Sequence, residues 1–282
     1  MNIKLSKIAS LLSLDLIGTD TNIYNLSIDS REVKKGDFFV AIEGIKFDGH
    51  DYIQESISNG ACAILCNDRF DVSKINVPYI VCHDTLKSLA DLAAGYRKII
   101  GSPLTIGITG TNGKTTVTQL TTAILKQCFS VSTTLGNYNN DIGLPLSILR
   151  SSEENCQRCV YELGASKKND ISYLVNICEP KMTALLNVSE AHMESFGSFE
   201  TLINTKEEIF SHTNTDQVVL NKDDERFARW KKINKRKKIT TISIFSEADY
   251  FIEKTDDEFF YISTPKGKFE LIKKFLKKEH YF

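Results

Sequence analysis

Residues 107–116 read GITGTNGKTT, and no other stretch of this chain restricts its fold so tightly. Before it, Leu104, Ile106 and Ile108 alternate as a short strand does; after it, Val117, Leu120, Thr121, Ile124 and Leu125 fall at helical spacing. The glycines therefore belong to a strand-to-helix turn. Successive backbone N–H groups point outward at such a turn, at the positive end of the helix dipole, and phosphate oxygens can accept from them. Gly110 and Gly113 let the backbone approach closely, with Thr111 and Asn112 between them. Lys114 can neutralise charge on the β- and γ-phosphates, and the Thr115 hydroxyl is set to ligate the magnesium that travels with ATP. The pattern G-x-x-x-x-G-K-[ST] wants its first glycine at position 108, which is Ile108 here, with glycines at 107 and 110 instead. The loop is a variant. A Gly-rich turn that merely packs a helix onto a sheet has no need of a lysine followed by Thr115 and Thr116.

At 282 residues the chain has room for about two domains. Its composition, 41% hydrophobic and 25% charged with a formal charge of -1, is ordinary globular usage and gives no global reason to expect nucleic acid or an anionic membrane as partner. The basic run at 229–238 (RWKKINKRKK) reads as a solvated helix end and loop. Seven cysteines without framework spacing suit a reducing compartment, so a cytoplasmic location is expected. Cys156 and Cys159 form a lone C-x-x-C; zinc would need a second pair, and a structural role is expected. Lys4 and Lys7 followed by an apolar stretch imitate a signal peptide, but Asp15 interrupts it, and Leu5, Ile8, Leu11 and Leu12 fit an amphipathic first helix. No apolar run approaches the roughly 18 residues that a membrane span requires.

Residues 1–100 read as a small mixed α/β domain, with a first helix, strands near 38–42, 61–66 and 78–82, and helices near 51–59 and 85–99. His50 beside Asp48 in a Gly-containing loop points to turn capping or a ligand contact more than to a catalytic pair. Ser102-Pro103 marks a boundary. From 101 to 282 strand and helix alternate, with strands near 159–163, 182–188, 217–220 and 239–245 and helices near 170–177, 198–211 and 223–232. Such alternation implies a mainly parallel sheet covered by helices, with ligands gathering beyond the carboxyl ends of the strands. Glu162, His192 and Asn221 fall at or just past such ends. Each alone is ordinary; their convergence with the phosphate loop on one rim raises them as site residues.

The helix near 198–211 carries an anomaly. Phe199, Leu202, Ile203 and Phe210 make its apolar stripe, and Lys206 falls in the same stripe. An ionised lysine there costs several kcal/mol in desolvation, on the order of magnitude known for buried ions, unless it is paired. Either its ammonium snorkels past the stripe, or its pKa is lowered enough for the neutral amine to be modified or to work in a site. Spacing leaves both readings open.

Taken together, these residues resemble the Mur ligase family, the ATP-dependent amide ligases of peptidoglycan precursor synthesis. The resemblance is carried by the phosphate loop and by LGNYNNDIGLPLSIL (135–149), ELGAS (162–166), AHMESFGSFE (191–200) and TKEEIF (205–210). IDSREVKKGDFFVAIEGIKFDGHDYI (28–53) looks like the family's uridine-nucleotide-binding domain. The resemblance implies that ATP phosphorylates the terminal carboxylate of a UDP-N-acetylmuramoyl-tripeptide, and that the amine of D-alanyl-D-alanine attacks the acyl phosphate. It implies catalytic roles for Lys114, Glu162, His192 and Lys206, with Thr115, Glu162 and His192 serving Mg2+ and Lys206 carrying a carbamate. It sets Asn137, Asn139 and Asn140 toward the substrate, Ser30 and Arg31 on the uridine side and Asn221 near the adenine. The expected fold is α/β, a small mixed N-terminal domain (1–100) followed by a mainly parallel P-loop ATPase-type sheet domain (101–282). The second domain departs from the family pattern. Hairpins are expected at 250–254, 259–263 and 269–272, then a Lys-rich end at 273–282, and the rest of the family's central domain and its C-terminal domain are expected to be absent, leaving 269–282 poorly anchored and this chain incomplete for turnover. The competing expectation is a non-catalytic nucleotide-binding module acting through a partner.

Overall fold

The computed structural model describes residues 1–44, 46–150, 156–190 and 193–273. In chain order its elements are β1 (Ile3–Lys4), α1 (Leu5–Leu12), β2 (Leu16–Ile17), β3 (Asn22–Ile23), β4 (Leu26–Ser27), β5 (Phe38–Val40), α2 (Ile53–Ser58), β6 (Ala63–Asn67), β7 (Tyr79–Cys82) and α3 (Thr85–Ile99). There follow β8 (Leu104–Thr109), α4 (Lys114–Leu125), β9 (Val131–Thr133), α5 (Gly143–Leu149), β10 (Arg158–Glu162), α6 (Asp170–Cys178), β11 (Met182–Leu185), α7 (Met193–Phe196) and α8 (Phe199–Glu207). The rest is β12 (Gln217–Asn221), α9 (Phe227–Ile233), β13 (Lys238–Ser243), β14 (Tyr250–Thr255), β15 (Phe259–Thr264) and β16 (Gly267–Ile272). The chain divides into two compact units, one of residues 1–105, 118–163 and 176–178, the other of 106–117, 164–175 and 179–282.

In the first unit β2, β7, β6, β5 and β4 form a sheet in that order, parallel from β4 through β7 and antiparallel at β2. Both β5 (FFV) and β6 (AILCN) are buried at every residue, the continuous apolar pattern of strands covered on both faces. Phe39, Ile53, Ala61, Ile64 and Cys66 pack as one cluster beneath α2, and each fully buried side chain of Val to Phe size contributes about 1.5–3 kcal/mol. Burial pushes the Cys66 thiol up to about 12, so it behaves as a small apolar group. The same unit holds the parallel pair β9 and β10, and α5 packs against α3.

In the second unit β8, β11, β12, β13 and β14 run parallel to their neighbours, and β14, β15 and β16 continue as an antiparallel meander. The three hairpin strands expected after residue 245 are thus present. Phe269, Leu271 and Ile272 of β16 are exposed; the end at 274–282 lies outside the described residues. Helix α4 (Lys114–Leu125), whose residues from 118 onward belong to the first unit, forms as expected. Thr118 and Thr122 are its buried residues, while Leu120 and Ile124 are exposed, so the apolar spacing predicts the helix and not its packed side. Among the described residues no helix is long and apolar enough to cross a membrane.

Candidate active site

The phosphate loop follows β8, whose last residue, Thr109, is fully buried. At Gly110 a Cβ would lie 3.0 Å from Leu186 Cβ and 3.3 Å from the Asn187 carbonyl oxygen, so the glycine allows the loop to pass close against residues 186–187. Gly113 has φ of +80°, a left-handed conformation that side chains resist, and it turns the chain into α4. Thr111 N–H donates to the Asn187 carbonyl at 3.0 Å. Asn112 N–H donates to Asn187 Oδ1 at 3.0 Å, and Asn187 Nδ2 donates back to the Asn112 carbonyl at 3.2 Å. The Thr111 hydroxyl donates to the Ser189 carbonyl at 3.2 Å and accepts from Ser189 N–H at 3.0 Å. Lys114 Nζ donates to the Thr111 carbonyl at 3.0 Å, folding the ammonium over the loop. Lys114, Thr115 and Thr116 form the first turn of α4, and the N-terminal turn of a helix presents the backbone N–H donors that a phosphate binds.

Residues 186–189 are braced in turn by the segment after β12. Asn221 Nδ2 donates to the Leu186 carbonyl at 3.1 Å, and its Oδ1 accepts from Asp223 N–H at 3.0 Å. Val188 N–H donates to Asp224, whose other oxygen pairs with Arg226 at 2.8 Å. That Asp224 oxygen also accepts from Arg226 N–H at 2.9 Å, which delays the start of α9 to Phe227 from the 223 expected.

Lys206 is 4% exposed, in α8 beside the buried Leu202, Ile203 and Thr205. Burial rather than snorkelling is the outcome at this position. The next residue, Glu207, clamps α8 to α9: one oxygen accepts from Trp230 Nε1 at 2.9 Å, the other from Arg229 at 2.8 Å. Arg229 also reaches Glu200 at 2.8 Å and, through that hydrogen bond and ion pair, holds the Glu200 carboxyl below its ordinary range.

In the first unit, Glu162 ends β10 and is 3% exposed. Asn139 Nδ2 donates to its Oε1 at 2.7 Å, and its own N–H donates to the Thr134 hydroxyl at 2.8 Å. Asn140 Oδ1 accepts from Gly143 N–H at 2.8 Å and so shapes the entry to α5. Asn137 is exposed, and its carbonyl accepts from Asn139 N–H at 2.8 Å. The three asparagines thus share one loop, and Asn139 alone of them is seen to reach the Glu162 carboxylate. Ser30 and Arg31 lie at the end of β4 and are held differently from each other. The Ser30 hydroxyl is buried and donates to Glu55 at 3.1 Å; Arg31 is exposed and pairs with Asp29 at 2.6 Å. That pairing lowers the Asp29 carboxyl. Arg31, Lys34 and Arg150 line a cleft of about 480 Å³ with Asn25 and Ser27. His50 is structural: its Nε2 accepts from Asn67 N–H at 2.9 Å, so Nδ1 carries the proton and donates to Asp48 at 2.5 Å.

His192 lies outside the described residues. Among those described, no group of three or more His, Cys, Asp or Glu is placed to hold a metal by itself. The residues that sequence reasoning passed over are Asn187, Ser189 and Thr134. The first two follow an apolar strand, and a carboxamide and a hydroxyl just past a strand end were the available signal.

The Mur ligase middle domain family matches residues 108–277, and the Mur ligase family catalytic domain matches residues 22–97. The chain belongs to the Mur ligase family. Among curated relatives, the UDP-N-acetylmuramoyl-tripeptide–D-alanyl-D-alanine ligase of Escherichia coli K12 is 32% identical over 244 residues, 86% of this chain and 53% of the relative. The ligase of that name from Bacillus subtilis 168 is 34% identical over 205 residues, 73% of this chain and 44% of the relative. Among solved structures, MurF from Acinetobacter baumannii superposes with a TM-score of 0.89 at 25% identity, covering 96% of this chain and 60% of that one. MurF ligase from Thermotoga maritima in complex with ADP gives 0.78 at 30% identity, over 88% of this chain and 57% of that one. This Mur ligase chain spans about half the length of the curated relatives it matches.

Proposed function

We propose that this Mur ligase chain binds ATP and a UDP-N-acetylmuramoyl-tripeptide and activates the tripeptide carboxylate as an acyl phosphate, for attack by the amine of D-alanyl-D-alanine. The observation that carries this reading is the phosphate loop: a turn held in shape by residues 187 and 189, ending in Lys114 at the start of α4. The printed names of the relatives, and the ADP bound by the Thermotoga maritima protein, support the same chemistry. The reading assigns residues 1–100 to the uridine nucleotide and 101–282 to ATP, and the separate matches at 22–97 and 108–277 support that division.

Phosphoryl transfer asks a protein mainly for positioning and charge neutralisation. Gly110, Thr111, Asn112 and Gly113 shape the loop; Lys114 draws the β- and γ-phosphates; Thr116 continues the first helical turn; Asn221 supports the adenine side through residue 186. Mg2+, when bound, screens the phosphate charge, and the Thr115 hydroxyl, the buried Glu162 carboxylate and His192 are assigned to it. Glu162 fits a hard cation because it offers carboxylate oxygen. Asn137, Asn139 and Asn140 face the peptide end of the substrate, while Ser30 and Arg31, with Lys34 and Arg150 along the same cleft, serve the uridine diphosphate. The burial of Lys206 supports modification by carbon dioxide: the ammonium first loses a proton, the neutral amine then adds to CO2 and releases a second, and a carbamate stands in place of the ammonium.

The test is release of ADP from ATP by the 282-residue chain with magnesium, with and without the UDP-linked tripeptide. Release that depends on the tripeptide and vanishes in Lys114→Ala is expected. Binding of neither nucleotide would overturn the reading.

A further inference from the structure

We propose that Asn187 is a positioning residue for the phosphate loop, one that decides which backbone N–H groups are left for the nucleotide. This rests on the ATP reading of that loop. Asn187 engages two consecutive loop residues with three groups: its carbonyl takes Thr111 N–H, its Oδ1 takes Asn112 N–H, and its Nδ2 returns a bond to the Asn112 carbonyl. Ser189 completes the arrangement through both backbone groups on the Thr111 hydroxyl. Residues 111 and 112 are thus held against 187 and 189 by one backbone bond and four bonds through the Thr111 and Asn187 side chains.

Two consequences follow from the chemistry of the groups. The N–H groups of Thr111 and Asn112 are spent on the protein, so the phosphate donors begin at Gly113, where φ turns positive, and continue into the first turn of α4. All of these bonds are made within the protein, so the nucleotide need not supply them. Only a carboxamide offers a donor and an acceptor in one planar fork of this length. An aspartate at 187 would still accept from Asn112 N–H, but it would oppose the Asn112 carbonyl without a donor and bring negative charge beside the phosphates.

The experiment compares the wild-type chain with Asn187→Ala and Asn187→Asp by calorimetric titration with Mg·ATP and Mg·ADP, alongside amide hydrogen exchange without nucleotide. In wild type, Thr111 and Asn112 amides are expected to exchange slowly. In Asn187→Ala they should exchange at least tenfold faster, and affinity for both nucleotides should fall about tenfold, the size expected for one or two lost hydrogen bonds. Asn187→Asp should fall further than Asn187→Ala, an order that a loss of fold stability alone would not produce. Unchanged affinity in a folded Asn187→Ala would overturn the proposal, as would fast exchange of both amides in wild type, a result that does not depend on either variant folding. Failure of wild type to bind ATP, with the two amides protected, would instead overturn the ATP reading and leave the loop-positioning role standing.

Discussion

Asn139 Nδ2 donates to Glu162 Oε1 at 2.7 Å, which ties the loop after β9 to the carboxyl end of β10 through a nearly inaccessible carboxylate. The two residues therefore act together. The loop that is assigned to the substrate also orients the carboxylate that is assigned to the metal.

Removing the amide leaves a buried carboxylate short of a donor, which costs about 1–3 kcal/mol. Asn139→Ala is expected to lower the unfolding free energy measured in urea by that amount and to raise the magnesium concentration needed for half-maximal ADP release. Glu162→Gln should raise the magnesium requirement while sparing most ATP affinity, because an amide is a poorer ligand for a hard cation. A magnesium titration that matches wild type in both variants would separate this pair from the metal.

Glu207 predicts a sharp contrast between two acids that share one arginine. Glu207→Ala strands Trp230 Nε1 and half of the Arg229 fork, and should cost about 2–3 kcal/mol in chemical denaturation, below the roughly 3–5 of a fully buried pair. Arg229 keeps 39% of its side-chain exposure and retains Glu200, which accounts for the reduction. Glu200→Ala, at an acid 61% exposed, should leave the denaturation midpoint close to wild type, because solvent screens such a pair. Equal losses in the two variants would contradict this division.

Asp48 sets a pH dependence. Burial alone would raise its carboxyl, but hydrogen bonds from the His50 backbone and ring outweigh that, and it sits below the ordinary aspartate value. A lowered folded-state pKa means that the folded form binds this proton less readily than the unfolded chain. Its stabilisation is complete above the ordinary value near 4 and is lost as pH falls through the folded-state value. Denaturation midpoints measured from pH 6 down to pH 3 should fall less steeply in Asp48→Asn than in wild type, and parallel curves would show that Asp48 contributes nothing to the slope.

Lys206→Ala should abolish tripeptide-dependent ADP release, and a short carboxylic acid added in solution should restore part of it by standing in for the carbamate. Wild type equilibrated with ¹³C-labelled carbon dioxide should show one carbamate carbon resonance that Lys206→Ala lacks. Absence of that resonance at saturating bicarbonate would remove the carbamate and leave a buried lysine to be explained by its neighbours.

Much of this was legible where the physics is local. The phosphate loop announces itself because the end of a strand, three glycines, a lysine and the start of a helix stand within ten consecutive positions of the chain. Helix α3 was expected at 85–99 and is found as Thr85–Ile99, because Asp84 caps it and its apolar residues keep a helical period. The stripe marked Lys206 as anomalous but left burial and snorkelling open, and the structure buries it. Helix α5 was missed because all seven of its residues are buried, so no polar face marks a period, and Pro145 falls inside it. The packed face of α4 was not legible in its spacing, since Thr118 and Thr122 are buried while Leu120 and Ile124 are exposed. Asn187, 75 positions from its partner Asn112, and Glu162, 23 from Asn139, gain their meaning only from tertiary contact. No local pattern encodes such a pairing.

Calorimetric titration of the 282-residue chain with Mg·ATP, in wild type and Lys114→Ala, with a thermal melt of each, bears most directly on the account. Lys114 reaches over the loop to the Thr111 carbonyl and not into the core, so Lys114→Ala should melt within a few degrees of wild type and lose ATP affinity by about 100-fold or more, as expected when a charge-assisted contact to phosphate is removed. Equal ATP affinity in the two proteins, with equal melts, would contradict it.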